Sequence, residues 1–260
     1  HLRYLIGDRS NLRAAVTRTL ARPNYGQVVP AELIIREDQE IERGNADLNP
    51  TTSWNLDLMY ERFFKTVGVV SAGVFYKDLQ DYIFVSTFEE SRDGEDWEIT
   101  QPVNGEDAWL WGVELAFQNQ FRNWPSPWDG FGFYVNYTWS DSEATIPGRD
   151  ENTQLPGQPD QVGNIALSYE KGLFSGILSW NFQGEWVEEV GGDAGEDEWV
   201  DEHQQLDFQA QFRITDRFTV YAQVYNLTDE PYRRYIGQPD QALQEEYYSW
   251  WGLLGVKFNL

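Results

Sequence analysis

The sequence of 260 residues contains no cysteine, one methionine and only two histidines. The absence of cysteine excludes disulfides, thiolate catalysis and cysteine-based metal sites, and it suits a chain that crosses an oxidising periplasm unfolded. A Ser-His-Asp triad or a histidine-rich metal site would have to depend on His203. The alternation pattern places His203 among polar residues on one face of a strand, so we expect it to be an ordinary polar-face residue. Adjacent carboxylates such as Glu188 and Glu189 lack the enclosing apolar pocket that acid–base catalysis needs. We therefore expect no catalytic residues, no metal site and no cofactor.

Positive charge and long apolar runs are also scarce. The 19 basic residues face 43 acidic ones, and the formal net charge of −24 excludes nucleic acid as an expected partner. No stretch approaches eighteen consecutive apolar residues, so the sequence predicts no transmembrane helix. The negative mean hydropathy of −0.58 leaves membrane strands open, because half of each such strand is polar.

What the chain does contain is alternation with a period of two residues. Between residues 54 and 64, Trp54, Leu56 and Leu58 share one face, while Asn55 and Asp57 share the other. The same pattern returns at residues 109–117 and 131–139, each time with aromatic residues on the apolar face. A soluble sheet also alternates, but repeated faces about ten residues long with aromatic ends are typical of transmembrane β-strands. The sequence therefore predicts an all-β protein, a transmembrane antiparallel β-barrel.

The alternation predicts about eleven strands separated by two kinds of connection that take turns along the chain. The strands are predicted at residues 1–5, 11–21, 51–64, 68–85, 108–121, 131–143, 161–170, 173–186, 203–214, 218–227 and 247–260. Short connections lie near residues 7–10, 65–67, 122–130, 171–172 and 215–217. Long connections lie near residues 23–50, 86–107, 144–160, 187–202 and 228–246. Short periplasmic turns that alternate with long external loops are typical of outer-membrane barrels, whereas a Greek-key sandwich has no reason to alternate them.

The loop charges agree with this orientation. Acidic runs at residues 89–98 and 188–202 fall in long loops, while the short turns carry Arg9, Lys65, Arg122, Lys171 and Arg217. An acidic run is most often a solvated loop, and the functional alternative is capture of a divalent cation or a cationic ligand.

The start of the chain predicts a C-terminal fragment. His1 is preceded by no Met, basic segment or apolar segment, and residues 1–5 already read as the end of a strand. An odd number of strands would leave unsatisfied edges in lipid, so we expect a comparable number of strands before His1.

Several motifs resemble those of the TonB-dependent outer-membrane receptors. They are Arg22-Pro23-Asn24-Tyr25, the segment from Gly44 through Asn49-Pro50 to Asn55, Gly73-Val74-Phe75-Tyr76-Lys77, and Asn226-Leu227-Thr228-Asp229-Glu230-Pro231-Tyr232. The likeness is spread over most of the chain. More narrowly, it is similar to the branch found in relatives of Xanthomonas and Caulobacter, many of whose members are associated with oligosaccharide uptake. Two positions depart from the family: Ala46 stands where the family usually has Pro, and Thr228 stands where Phe is common.

The resemblance implies a 22-stranded barrel that encloses an N-terminal plug domain and is preceded by a TonB box. On that reading, residues 1–260 are the C-terminal half of the barrel, and the plug and the TonB box are absent. The implied partners are outer-membrane lipid and lipopolysaccharide, the plug, the TonB complex, the barrel-assembly machinery and a small-molecule or oligosaccharide ligand. The chain end resembles the assembly signal, with Gly255, Phe258 and Leu260 in the expected spacing and Leu260 in place of the usual aromatic residue.

Two groups of aromatic residues have different expected roles. The first group, at strand ends on the apolar face, is expected to form the membrane girdle: Trp54, Trp109, Trp111, Trp139, Trp186, Tyr248 and Trp250. The second group lies in external loops and, with two arginines, is expected either to bind a ligand such as a sugar or to pack within the loops: Tyr25, Trp97, Trp199, Tyr232, Arg233, Arg234 and Tyr235.

The polar face supplies a third set of predicted functional residues. They are expected to face the lumen and the plug: Arg13, Asn55, Asp57, Glu114, Gln118, Gln183, Asp207 and Gln209.

The sequence thus favours a receptor for TonB-dependent active uptake of a scarce nutrient, an oligosaccharide or a metal chelate, and it does not identify the ligand. A passive porin would use the same strands with an inward-folded loop and no plug. A soluble carbohydrate-binding module is the alternative from another class, and only this reading is compatible with a detergent-free soluble monomer.

Overall fold

The computed structural model describes residues 1–259 and consists almost entirely of β-strands. Leu260, the last residue of the predicted assembly signal, lies outside the described residues. The strands are β1 (Leu2–Ile6), β2 (Ser10–Ala21), β3 (Glu32–Ile35), β4 (Glu40–Arg43), β5 (Thr51–Phe63), β6 (Gly68–Gln80), β7 (Ile83–Arg92), β8 (Glu95–Asn104), β9 (Asp107–Gln120), β10 (Phe131–Ala144), β11 (Gln161–Lys171), β12 (Phe174–Gln183), β13 (Trp186–Glu189), β14 (Glu198–Val200), β15 (His203–Arg213), β16 (Phe218–Tyr225), β17 (Tyr232–Ile236), β18 (Ala242–Glu246) and β19 (Trp251–Phe258). In the described part of the chain, helical structure is limited to α1 (Tyr25–Val28) and one 3₁₀ turn at Trp128–Gly130. Among residues 1–259, no helix is long and apolar enough to cross a membrane.

Eleven strands form one antiparallel sheet, which we call the wall. Its order, β1-β2-β5-β6-β9-β10-β11-β12-β15-β16-β19, follows the order of the chain. These are the eleven strands predicted from the alternation, and the connections between them are alternately short and long, as expected. Within the described residues, β1 and β19 are the two edges and do not pair with each other.

Three strand ends differ from the prediction for local reasons. The strand predicted at 68–85 ends at Gln80, because Asp81 takes a left-handed backbone with φ 54°. The strand predicted at 173–186 ends at Gln183, and Trp186 belongs to β13, outside the wall. The last strand begins at Trp251 rather than at residue 247, after a left-handed Ser249.

Strand register gives the wall one apolar and one polar face. Leu58 is paired with Ala14 on one side and with Val74 on the other, and Val74 is paired with Val113. Because side chains alternate along every strand, this register extends the apolar stripe across the whole wall. Its members stay uncovered in the isolated chain, with 64% of Val16 and 76% of Leu254 exposed. A continuous exposed apolar face is what a lipid-facing wall requires.

Aromatic residues form a row near each end of the apolar face. At the long-loop end, Trp111 packs edge-to-face on Trp139 with ring centres 5.0 Å apart, and Arg18 lies over Trp54. At the short-turn end, Trp124 stacks on Phe121 at 4.3 Å. At the long-loop end the predicted girdle residues Trp54, Trp109, Trp111 and Trp139 lie at apolar-face positions of the wall. Two predicted members do not belong to this row, since Trp186 lies in β13 opposite Val200 and Tyr248 lies on the polar side, beside His203 and Tyr225.

Polar side chains on the other face of the wall bind one another. Arg13 forms an ion pair with Glu61 at 2.8 Å, and Asn55 donates to Thr17 and Thr19 at 3.3 and 3.1 Å. Further along, Asn164 donates to Asn136 at 2.8 Å. Register places all eight predicted lumen-facing residues on this face. That the face lines a lumen remains a prediction.

The buried apolar core lies at the long-loop end of the wall, over its polar face. Ala108 and Ala144 are at polar-face positions of β9 and β10, and there they pack against Tyr82, Val187 and Val190 from the long connections. Full burial of a valine contributes about 1.5–3 kcal/mol. The long connections therefore fold into a packed structure over the polar face of the wall.

We predict that the two faces respond oppositely to charge. In the full-length protein refolded into bilayers, Leu178→Arg would place a cation at mid-strand on the apolar face and lower the free energy of unfolding by about 2–4 kcal/mol. Ser179→Arg, one residue further on the polar face and opposite Asp207, is the matched control and is expected to have little effect. Denaturant titration followed by tryptophan fluorescence measures both, and equal losses would contradict the assignment of faces.

Candidate ligand-binding site

Four of the five long connections supply the strands of two small sheets, and these sheets together with the rest of the five connections we call the loop cap. One sheet has the order β3-β4-β8-β7 and the other β13-β14-β17-β18. They meet at a parallel bridge between Ser86 and Val190, where the Thr87 amide donates to the Val190 carbonyl and the Val190 amide donates to the Val85 carbonyl, both at 3.2 Å. The loop cap spans residues 22–50, 81–106, 145–160, 184–202 and 226–250.

The motif near residue 45 joins the first two long connections. Asn45 donates its side-chain amide to the Pro102 carbonyl at 3.1 Å, and Asn104 exchanges hydrogen bonds with the Asn49 backbone at 2.8 and 3.0 Å. Gly44 is required by close approach, since a Cβ there would lie 2.1 Å from the Val29 carbonyl oxygen. This segment therefore fixes the first connection to β8 before β5 begins.

A buried ion pair fastens the third connection to the fourth. Arg149 donates to both carboxylate oxygens of Asp197 at 2.6 and 3.3 Å, and their side chains are only 4% and 2% exposed. Asp197 also accepts from the Gly191 amide at 3.0 Å. Because a buried charge without its partner is very costly, this pair holds the two segments in one arrangement.

Two other arginines cross-link the first cap sheet. Arg92 donates to Glu32 at 2.8 and 3.0 Å and to Glu90 at 2.9 Å, and Arg43 donates to Glu90 at 2.8 Å. The hydrogen bonds from Arg92 hold the pKa of both carboxyl groups below the usual range.

The second cap sheet concentrates partly buried carboxylates around one arginine. Arg234 contacts Glu188 at 2.6 Å and Glu198 at 2.5 Å. Burial raises the pKa of Glu198 despite this pairing, and neighbouring carboxylates add to the effect. Burial, followed by the charge of Glu198, raises the pKa of Glu189 as well. Ionisation of these carboxyl groups therefore lowers the stability of the sheet.

The net negative charge of the chain resides in the loop cap. The cap contains 31 of the 43 acidic residues and 7 of the 19 basic ones, so 12 of each sign remain for the rest of the chain. The wall and the short turns thus have no net charge, and the whole net charge of −24 lies in the loop cap, at the long-loop end of the wall. Such a field attracts cations and repels anions.

The structure places the predicted ligand-binding residues in different surroundings. Tyr25 is 85% exposed at the start of α1. Trp199 and Tyr235 stack on each other with parallel rings 6.2 Å apart, and Tyr235 is 5% exposed. Tyr235 donates to Glu185 at 2.7 Å, and burial followed by this bond raises the pKa of its hydroxyl. For this pair the observed contacts are those of loop packing.

The remaining predicted residues lie on or near the second cap sheet, except Trp97. Arg233 forms an exposed ion pair with Glu245 at 2.7 Å, while Arg234 and Tyr232 face the carboxylates of the same sheet. Trp97 is partly buried in β8 opposite Glu90. A ligand role for these residues remains a prediction.

Besides a cleft of about 520 Å³ beside Arg13 and Asp57 near the β1 edge, two further open clefts lie on the polar side of the wall. One, of about 710 Å³, lies toward the short turns and is bordered by Arg122, Gln209 and Lys171. The other, of about 600 Å³, lies where β15, β16 and β19 meet the second cap sheet. Of the predicted lumen-facing residues, Gln209 borders the first cleft, and Asp207 accepts from the Asn226 amide at 3.0 Å beside the second.

Sequence reasoning missed most of what builds the cap. Arg149 and Asp197 were not singled out, because a lone arginine and an acidic run give no sign of pairing over 48 residues. The cleft residues Tyr225, Glu246 and Trp251 were also missed, although their positions at strand ends beside a turn motif were visible. Among residues 1–259, no group of three or more His, Cys, Asp or Glu side chains is arranged to hold a metal ion.

Comparison with known proteins identifies relatives of the wall. A family model described as "TonB dependent receptor-like, beta-barrel" matches residues 1–227. No curated protein sequence matches the chain.

Solved structures share the fold. A ferric enterobactin receptor mutant, PfeA of Pseudomonas aeruginosa in complex with enterobactin, has a TM-score of 0.65 at 17% identity and covers 98% of this chain and 39% of its own. The siderophore receptor PirA of Acinetobacter baumannii has a TM-score of 0.64 at 15% identity, with coverages of 99% and 40%. The copper transporter OprC has a TM-score of 0.67 at 16% identity, with coverages of 98% and 38%. The chain spans about two fifths of the length of these structures.

We predict that Asp197→Ala releases the fourth long connection. Arg149 would be left buried and unpaired, which costs about 3–5 kcal/mol. Hydrogen exchange of residues 184–202 in the intact receptor should accelerate strongly, whereas Glu202→Ala, in the same connection but exposed, should leave it unchanged. Unchanged exchange in Asp197→Ala would show that the pair does not hold the cap together.

We also predict that mild acid stabilises the second cap sheet. A carboxyl group whose pKa is raised by folding contributes stability below its unfolded pKa and loses it as pH rises through the folded pKa. Hydrogen exchange of residues 186–200, corrected for its intrinsic pH dependence, should therefore slow from pH 7 to pH 5. Glu189→Gln should slow exchange at pH 7 and weaken the pH dependence, and Glu202→Gln should not.

Proposed function

The chain belongs to the β-barrel family of TonB-dependent receptors, and from this we propose that it forms part of an outer-membrane receptor for active uptake of a scarce nutrient. The family is found in the Gram-negative outer membrane and consists of transport receptors rather than enzymes. The observation that carries the proposal is the family match over residues 1–227 on a wall of eleven strands with alternating short and long connections.

We propose that residues 1–260 form the C-terminal half of a 22-stranded barrel. Eleven strands are half of that number, and the fraction of the related structures that the chain covers supports the same division. The polar face, with Arg13, Asn55, Asp57, Glu114, Gln118, Gln183, Asp207 and Gln209, would then face the plug. TonB would supply the work that moves the plug.

The apolar face would contact outer-membrane lipid, with lipopolysaccharide at the long-loop end. The end of β19 would carry the signal for the barrel-assembly machinery. Gly255 and Phe258 lie in β19, and Phe258 is paired with Phe218 with ring centres 4.8 Å apart.

The electrostatics of the loop cap favour a neutral or cationic nutrient over an anionic metal chelate. The cap has a net charge of −24, and five of its seven arginines form ion pairs with its own carboxylates. An anionic chelate would meet repulsion and few available cations. An oligosaccharide meets no such barrier, and the exposed ring of Tyr25 offers a stacking surface for it.

The passive porin is the second candidate, because the wall alone fits it equally well. The two functions differ in their energy requirement: a porin passes its solute without TonB, and an active receptor accumulates it against a gradient.

We predict that deleting the receptor gene abolishes accumulation of a labelled oligosaccharide at nanomolar concentration, and that deleting tonB does the same. Uptake of a ferric catecholate chelate should be unaffected by loss of this receptor. Oligosaccharide uptake that persists without TonB would favour the porin, and selective loss of ferric chelate uptake would overturn the choice of nutrient.

A further inference from the structure

The cleft of about 600 Å³ at the junction of β15, β16 and β19 with the second cap sheet combines rings and carboxylates. Four aromatic residues border it: Tyr225, Tyr232, Tyr248 and Trp251. Tyr225 and Trp251 stack at 4.4 Å. In this chain alone, Tyr248 and Trp251 are 72% and 55% exposed, with Trp251 at the start of the edge strand β19. Rings with open faces in a concave site are available to a ligand.

The carboxylates of this cleft differ from their neighbours in the cap. Glu230 and Glu246 both border it, and neither forms an ion pair with any of residues 1–259, nor does any lysine or arginine line the cleft. Three nearby glutamates, Glu188, Glu198 and Glu245, are each paired with an arginine. The cleft is thus a place where partly buried negative charge has no internal counter-charge.

Local structure holds these groups in position. Asn226, with a left-handed backbone at φ 53°, accepts from the Glu230 amide and donates to its carbonyl, both at 2.9 Å. Gln244 donates to the Glu246 carboxylate. His203 borders the same cleft, and its Nδ1 is buried without a hydrogen-bond partner among the described residues. A ligand hydroxyl would satisfy that nitrogen.

We propose that this aromatic–acidic cleft is a subsite for an ammonium group, primary or quaternary, of an amine-bearing ligand. The inference rests on the proposed function, since it names the chemistry of one group on the nutrient. Ring faces attract a cation through their quadrupole, and two unpaired carboxylates add direct charge attraction. Burial is the main cause that raises the pKa of Tyr232, and the charges of Glu188 and Glu246 add to this effect while that of Arg234 opposes it.

The experiment uses two probes of equal shape, choline and its neutral isostere 3,3-dimethylbutan-1-ol, with the intact receptor in detergent. Isothermal titration calorimetry should give choline the lower Kd by about tenfold or more. Choline affinity should fall with added salt, since the attraction is electrostatic. Equal affinities, or no binding of choline, would overturn the proposal.

Variants locate the site. Glu230→Gln/Glu246→Gln should weaken choline binding about tenfold and leave the isostere unaffected. The matched control is Glu245→Gln, whose carboxylate belongs to the adjacent residue of β18 and pairs with Arg233 instead. Unchanged choline affinity in the double variant, with lowered thermal stability, would show that a cationic side chain of the receptor itself fills the cleft and would refute the proposal.

Binding at equilibrium needs no TonB, so this test is separate from the uptake test. Choline binding without TonB-dependent uptake would leave the subsite standing and sink the transport function. TonB-dependent uptake without choline binding would refute the subsite and leave the transport function standing.

Discussion

The continuous hydrogen-bond ladder of the wall determines what every other part of the molecule meets. In lipid each backbone amide and carbonyl needs a partner within the protein, so adjacent strands stay in register from β1 to β19. Register then determines which residues of each strand lie on the apolar face and which on the polar face, because a shift by one residue would exchange the two faces along the whole strand. Leu58 and Met59 illustrate this: although they are neighbours in sequence, they lie on opposite faces of the wall.

The loop cap is stabilised in a different way from the wall. It has the features of a small water-soluble protein, with a buried apolar cluster around Val187 and Val190 and a buried ion pair between Arg149 and Asp197. The wall supplies the floor of that cluster through Ala108 and Ala144 at its polar face. The wall and the cap also differ in charge, since the acidic excess lies wholly in the cap. The chain therefore combines a part whose fold suits a lipid environment with a part whose fold suits water.

The sequence predicts the wall well because its signal is local and repeated. Alternation in Thr51–Phe63 or Phe131–Ala144 is visible without knowing the neighbouring strand. The cap gives no such signal. Its strands are mostly three to five residues long, and the parallel pairing of Ile41 with Ile99 joins segments 58 residues apart. Ile99 is fully buried there, yet the surrounding run of acidic residues indicates only a solvated loop. For the same reason the sequence leaves Tyr235 open between ligand binding and packing within the loops, whereas in the structure its ring is covered by packing across β14 and β17. The branch of the family suggested by the motifs remains a prediction.

The bridge between Ser86 and Val190 makes the second and fourth long connections one mechanical unit. Long connections are usually regarded as independent flaps, each free to evolve and to move without the others. Here the bridge joins the sheet of β7 to the sheet of β13, β14, β17 and β18, which carries Tyr232. If the proposed function holds, a nutrient that binds here would contact loops that are already ordered. Binding would then not have to offset the entropy cost of ordering them. Adaptation to a new nutrient would have to proceed by exchange of side chains on a conserved frame, because a change of length in one connection would disturb the others.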